Sequence, residues 1–147
     1  MKLRSFGQKK CLIMYLVDAN IFLEVLLARP RKDECKKFLS LLRDGKKAGL
    51  VTDFTLHSII VMMDGMNRLS ELRTFLSSLT AYKGLHVYNT SLTEEVRATE
   101  AAVQNRLDMD DAIQYTTAVA ANAQAIISFD KHFNNLKIPR KEPCQIV

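Results

Sequence analysis

Cys11-Leu12-Ile13-Met14-Tyr15-Leu16-Val17 is a run of seven apolar residues, closed by Asp18 and followed by Ala19-Asn20-Ile21-Phe22. An uninterrupted run of this length, with no polar alternation, fits a strand buried on both faces, as in parallel sheets covered by helices. Lys2, Arg4, Lys9 and Lys10 precede it and give it the outline of a secretory signal. The run is short for the apolar part of such a signal, however, and no small-x-small cleavage pattern follows. Residues 1–10 are therefore read as a flexible basic arm and residues 11–147 as a single domain.

Outward from that strand, residues 49–52, 85–88 and 125–128 form further short apolar runs. Helical periodicity fills the gaps between them. Ile21, Val25 and Ala28 make a short helix ended by Pro30, and Cys35, Phe38, Leu39 and Leu42 make the next, closed near Gly45. Leu56, Ile59, Ile60 and Met63 follow, weakening at Gly65, and then Leu72, Phe75, Leu76 and Leu79 ahead of Gly84. Residues 93–105 and 108–122 complete the set. Strands that alternate with helices predict a three-layer α/β/α sandwich around a mainly parallel sheet of four or five strands.

Composition agrees with one domain. The chain has 147 residues, 48% of them hydrophobic and 25% charged, enough to bury a large core and too apolar for long disorder. Cys11, Cys35 and Cys144 are odd in number and far apart, which suggests neither a disulfide framework nor a zinc cluster and makes a reducing cytoplasm the simplest expected location. Nothing approaches the roughly 20 apolar residues of a membrane span. The net charge of +5 is uneven: residues 1–50 hold 12 basic and 5 acidic side chains, and the remainder 9 and 11. Such a basic first third attracts polyanions, or else simply solvates helix faces.

The architecture gives the acids meaning. In an open parallel sheet, ligands gather beyond the carboxyl ends of the strands. Asp18 closes the first strand, Asp53 the second, Asp130 follows the last, and Asp111 sits in the first turn of the helix that begins near Asp108. Carboxylates crowded together repel unless a cation neutralises them. With oxygen donors and no Cys or His cluster, the ion expected is Mg²⁺ or Mn²⁺, and the reaction it suits is phosphodiester hydrolysis. Asp53 and Asp108 are also well placed as helix N-caps, and Asp110 and Asp111 favour the helix dipole. Glycine-rich phosphate loops and the G-x-S-x-G elbow are absent from the sequence, and His57, His86 and His132 have no nucleophile that spacing singles out.

Taken together, the segments Met14-Tyr15-Leu16-Val17-Asp18-Ala19-Asn20-Ile21-Phe22, Val51-Thr52-Asp53-Phe54-Thr55-Leu56, Asp110-Asp111-Ala112-Ile113-Gln114 with Ala118, and Ile126-Ile127-Ser128-Phe129-Asp130-Lys131-His132-Phe133 resemble the PIN domains. The nearest likeness is to the short archaeal and bacterial members that include VapC-type toxins. It covers residues 13 to about 135. The resemblance implies a divalent-metal ribonuclease in which Asp18, Asp111 and Asp130 hold the metal, Asn20 supports the first loop, and Ser128 orients a carboxylate or the substrate. Family members generally carry a further acid, usually Glu, on the helix after the second strand. Here that region reads Thr55-Leu56-His57-Ser58-Ile59. His57 stands in the acid's place, as a metal ligand, a group acting through water or an ordinary hydrogen-bonding residue, with Asp53 or Asp110 as other sources of the charge.

The expected substrate is RNA, cut by in-line attack of water to leave a terminal phosphate on the downstream fragment. Arg29, Arg31 and Lys32, after the first helix, and Lys131, beside Asp130, are the cations expected to guide it. Ile59, Ile60, Met62, Met63, Met66 and Leu69 give one helix more apolar surface than a single stripe needs. They are core, a homodimer contact, or a groove for the antitoxin that a PIN toxin would carry as partner. The competing readings are a PIN-like RNA- or protein-binding module impaired in catalysis, and a nucleotide phosphatase on a similar sheet.

Overall fold

The structure, a computed structural model, describes residues 13–146. The basic arm, and Cys11 and Leu12 of the first apolar run, lie outside the described residues. In chain order the elements are β1 (Met14–Val17), α1 (Ala19–Leu26), α2 (Lys32–Arg43), β2 (Ala48–Thr52), α3 (Asp53–Gly65), α4 (Leu69–Leu79), β3 (Leu85–Tyr88), α5 (Leu92–Asn105), α6 (Met109–Ala120), β4 (Ala125–Ile127) and β5 (Arg140–Lys141). Short 3₁₀ turns cover Lys131–Phe133 and Pro143–Gln145.

The five strands form one sheet in the order β3-β2-β1-β4-β5, and every neighbouring pair is parallel. From β1 the chain winds outward to β2 and β3, then returns to place β4 on the other side of β1. The order therefore reverses at β1, and a crevice opens at the carboxyl ends of β1 and β4.

Side-chain alternation explains why both faces are covered. Tyr15 and Val17 of β1, Val51 of β2, and Ala125 and Ile127 of β4 point into a core with Ile21, Phe22, Phe38, Leu42, Ile59 and Met63 from α1, α2 and α3. Met14, Leu16, Leu50 and Ile126 point the other way, onto Ala118 of α6 and Phe133. With both faces buried, no position in β1 is left for a polar residue until Asp18. Each fully buried Leu, Ile or Phe contributes roughly 1.5–3 kcal/mol of transfer free energy.

The helix ends differ from the sequence expectation in two informative places and agree with it in a third. Helix α1 stops at Leu26, short of Ala28. Ala28 takes a left-handed conformation (φ 49°), and the Arg29 and Ala28 amides donate to the Glu24 and Val25 carbonyls, which closes the helix before Pro30 is reached. Asp53 is not the cap of α3: Thr52 is, its hydroxyl accepting from the Thr55 amide at 3.0 Å. Asp108 does cap α6, accepting from the Asp111 amide at 2.8 Å. The four apolar runs all become strands, and Arg140–Lys141 is a fifth that no apolar run announced.

Candidate active site and metal centre

The reversal of strand order at β1 brings acids from distant parts of the chain to one place. A cleft of about 210 Å³ is lined by Asp18, Ala19 and Asn20 after β1, Leu23 of α1, Ser58, Ile59 and Met62 of α3, Asp108, Asp110 and Asp111 at the start of α6, and Asp130 after β4. Thus Asp18, Asp111, Asp130, Asp110 and Asn20 share one cleft. The turn from α5 into α6 delivers the α6 acids. Arg106 adopts the left-handed conformation, Leu107 turns inward, and Asp108 then caps a helix whose positive end faces the crevice.

Asp18 is the most fixed of the acids. It is 4% exposed, and each carboxylate oxygen has its own donor: Gln114 Nε2 reaches Oδ1 at 3.0 Å and Ser128 Oγ reaches Oδ2 at 2.6 Å. The Asp18 amide donates to the Ile127 carbonyl at 3.1 Å, so this residue extends the β1–β4 pairing by one step. Ser128, fully buried, also accepts from the Asp130 amide at 2.9 Å and so ties the two acids together. Gln114 bridges in the same way, its Nε2 donating to Asp110 Oδ1 at 3.2 Å as well as to Asp18. Gln114 is fully buried, and its Oε1 is the one buried side-chain oxygen without a hydrogen-bond partner among the described residues.

The electrostatics follow from crowding in a dry place. Burial raises the Asp18 carboxyl above its usual range against the pull of its bonds to Ser128 and Gln114. Burial, with Asp18 nearby, pushes Asp110 up to about 6. Burial, followed by the fields of Asp108 and Asp130, pushes Asp111 up to about 7. A cluster that holds protons near neutrality is one in which a cation would displace them. The donor set supports that fit. One carboxylate oxygen each from Asp111 and Asp130 and one ring nitrogen of His132 lie within 4.8 Å of one another. Neither His132 nor Gln114 is among the site residues expected from the sequence, although His132 stands two residues after Asp130 and Gln114 one helical turn beyond Asp110.

Other expected site residues fall elsewhere. His57 is exposed and does not line the cleft; one residue is about 100° of helix, and that rotation presents Ser58 instead. No acid therefore enters the cleft from α3. Asp53 Oδ1 accepts from the Thr90 hydroxyl at 3.0 Å and the Thr90 amide at 3.2 Å, which fastens α3 to the loop after β3. Arg31 is occupied as well. Its guanidinium pairs with Glu34 and Glu142, each at 2.6 Å, and lies 3.9 Å from the centre of the Phe129 ring, locking the start of α2 to the C-terminal segment. Lys131 is exposed beside Asp130; Arg29 and Lys32 are half-buried, and none of the three lines the cleft. Of the apolar set on α3 and beyond, Ile59 and Met63 are core, whereas Met62, Met66 and Leu69 are 41%, 46% and 52% exposed. No helix among the described residues is long and apolar enough to cross a membrane.

Comparison with known proteins places this architecture. The chain is similar in fold to a toxin–antitoxin complex from Klebsiella pneumoniae (TM-score 0.65, 19% identity, covering 88% of this chain and 97% of that one). It is also similar to VapBC2 from Rickettsia felis bound to a DNA fragment from its promoter (0.66, 16%, 88% and 98%) and to the sarcin-ricin-loop-cleaving toxin VapC20 of Mycobacterium tuberculosis (0.62, 14%, 80% and 90%). Comparison with curated proteins gives no match. The PIN domain sequence profile matches residues 15–139, and the chain therefore belongs to the PIN domain family.

Proposed function

We propose that the protein is a divalent-metal-dependent endoribonuclease of the PIN type that acts as the toxin of a toxin–antitoxin pair. The observation that carries this reading is the convergence of Asp18, Asp110, Asp111 and Asp130 on one cleft at the point where the strand order reverses. Asp111 and Asp130 would hold the ion, with Asp18 facing the same space. Mg²⁺ or Mn²⁺, when bound, supplies Lewis acidity and an acidified water. The chain's own residues do the rest. Ser128 and Gln114 hold Asp18 in place and oppose the rise that burial imposes on its carboxyl, Asp110 offers a carboxylate that exchanges a proton near neutral pH, and Asn20 lines the cleft that a phosphodiester would enter. Water adds to phosphorus, the P–O3′ bond breaks, the proton that the water gives up ends on the 3′-oxygen of the upstream fragment as a hydroxyl, and the downstream fragment keeps the 5′-phosphate.

The toxin assignment draws support from the fold likeness to VapBC2 and to VapC20. An antitoxin chain is the expected partner, and a homodimer the expected assembly, with exposed Met62, Met66 and Leu69 available to either contact. A second reading, a binding module impaired in catalysis, draws on Ser58 standing where α3 would present an acid. Incubating the purified protein with single-stranded RNA and Mn²⁺ separates the two. Cleavage lost in Asp18→Asn and Asp111→Asn supports the nuclease. Cleavage that survives in both variants reveals a contaminant, and RNA binding without cleavage supports the module.

A further inference from the structure

We propose that His132 gives the cation site one nitrogen donor, so that the site takes Mn²⁺, and Co²⁺ more strongly still, in preference to Mg²⁺. This rests on the reading above, that the cleft holds a divalent cation, and concerns which ion that is.

Ser128 Oγ accepts the Asp130 amide, Asp130 Oδ1 accepts the His132 amide at 2.9 Å, and Phe133 is fully buried beneath the sheet. A 3₁₀ turn pinned at both ends therefore fixes the His132 backbone beside the cleft. The imidazole Nδ1 lies 2.7 Å from Asp130 Oδ1, and a ring nitrogen falls within 4.8 Å of the donor oxygens of both Asp111 and Asp130. Donor atoms sharing one ion stand roughly 3–4 Å apart at bonds near 2.1 Å, so a small rotation of the ring completes the set. The ring already contacts Asp130 through Nδ1, and solvent rather than packed side chains surrounds most of it, the His132 side chain being 72% exposed.

Chemistry then selects the ion. Mg²⁺ favours oxygen donors and near-ideal octahedral geometry, whereas imidazole suits transition metals, whose affinity for a given site rises from Mn²⁺ through Co²⁺. Asp111, Asp130 and His132 form a mixed oxygen and nitrogen set rather than a purely carboxylate one. The other two histidines do not compete for this role: His57 is exposed outside the cleft and His86 lies in β3, with β2 between it and β1.

The test uses the full chain free of any histidine tag, titrated with Mn²⁺ alone and with Mg²⁺ alone by calorimetry, beside His132→Ala and His132→Gln. Electron spin-echo modulation is recorded on the Mn²⁺-loaded protein with ¹⁴N- and ¹⁵N-histidine. Wild type is expected to bind Mn²⁺ more tightly than Mg²⁺ and to show isotope-dependent nitrogen modulation. Both variants are expected to lose the modulation and roughly tenfold in Mn²⁺ affinity, with Mg²⁺ affinity little changed. Mn²⁺ binding without histidine modulation, at an affinity the variants keep, overturns this inference and leaves the metal-dependent nuclease standing. No binding of either ion overturns both.

Discussion

Replacing Asp111 with Asn should make the metal-free protein more stable at neutral pH and above, although it removes an acid from the heart of the cleft. Asp111 is 7% exposed, and burial together with Asp108 and Asp130 raises its carboxyl from 3.8 to about 7. The folded chain thus keeps a proton that the unfolded chain gives up. For a group raised in this way, the favourable contribution is complete below about pH 4 and is lost as pH climbs to about 7. One pH unit in that window is worth at most 1.36 kcal/mol, and the slope fades as the folded group itself ionises near 7, so between pH 5 and pH 7 wild type loses about 2 kcal/mol through this residue. An amide at the same position has no proton to lose. Urea unfolding in EDTA at pH 5, 6, 7 and 8 should show the Asn variant gaining on wild type by about 3 kcal/mol across the series. Asp110, raised to about 6, gives both proteins a common slope at the acid end that cancels in the difference. Excess Mn²⁺ should then restore wild type selectively, since it replaces the displaced proton with a bound charge. A stability difference that stays constant from pH 5 to pH 8 would refute the reasoning.

Two further substitutions probe the supports of the site. Ser128→Ala strips Asp18 Oδ2 of its donor and the Asp130 amide of its acceptor in a fully buried position, and should cost about 2–3 kcal/mol by urea denaturation; a loss under about 0.5 kcal/mol would show that these bonds hold little. Arg31→Ala should lower stability by about 1–2 kcal/mol, because its pairs with Glu34 and Glu142 are partly solvent-screened and its stacking on Phe129 adds a modest increment. The affinity for single-stranded RNA should be unchanged in that variant, and RNA binding weakened more than by Lys131→Ala would return Arg31 to the substrate path.

The layers of this fold were readable because burial on both faces writes an uninterrupted apolar run, as in residues 14–17 and 125–127. β5 writes none. Its two residues, Arg140 and Lys141, join the sheet through backbone bonds to β4, which no side-chain pattern records. The cap of α3 was misread because Thr52 and Asp53 are adjacent and both suit the position; the choice falls to whichever side chain the end of β2 turns toward the Thr55 amide. His57 and Ser58 differ by a rotation that depends on how α3 leans on α1 and the sheet, which is tertiary information. Arg31 looked like a free cation because Glu142, its partner, lies 111 residues away. Gln114 is the reverse case: its i, i+4 relation to Asp110 was in plain view, but its bond to Asp18 spans 96 residues and exists only in the folded chain.

That long reach has a consequence for how the protein is made. When a ribosome has threaded out the first hundred residues, Asp18 is the single acid of the cleft yet synthesised, and both of its side-chain hydrogen-bond donors, at positions 114 and 128, are still to come. The acid cluster is therefore complete only after β4 and the turn that follows it have been made and have paired with β1, and a chain that stops short of residue 128 lacks it.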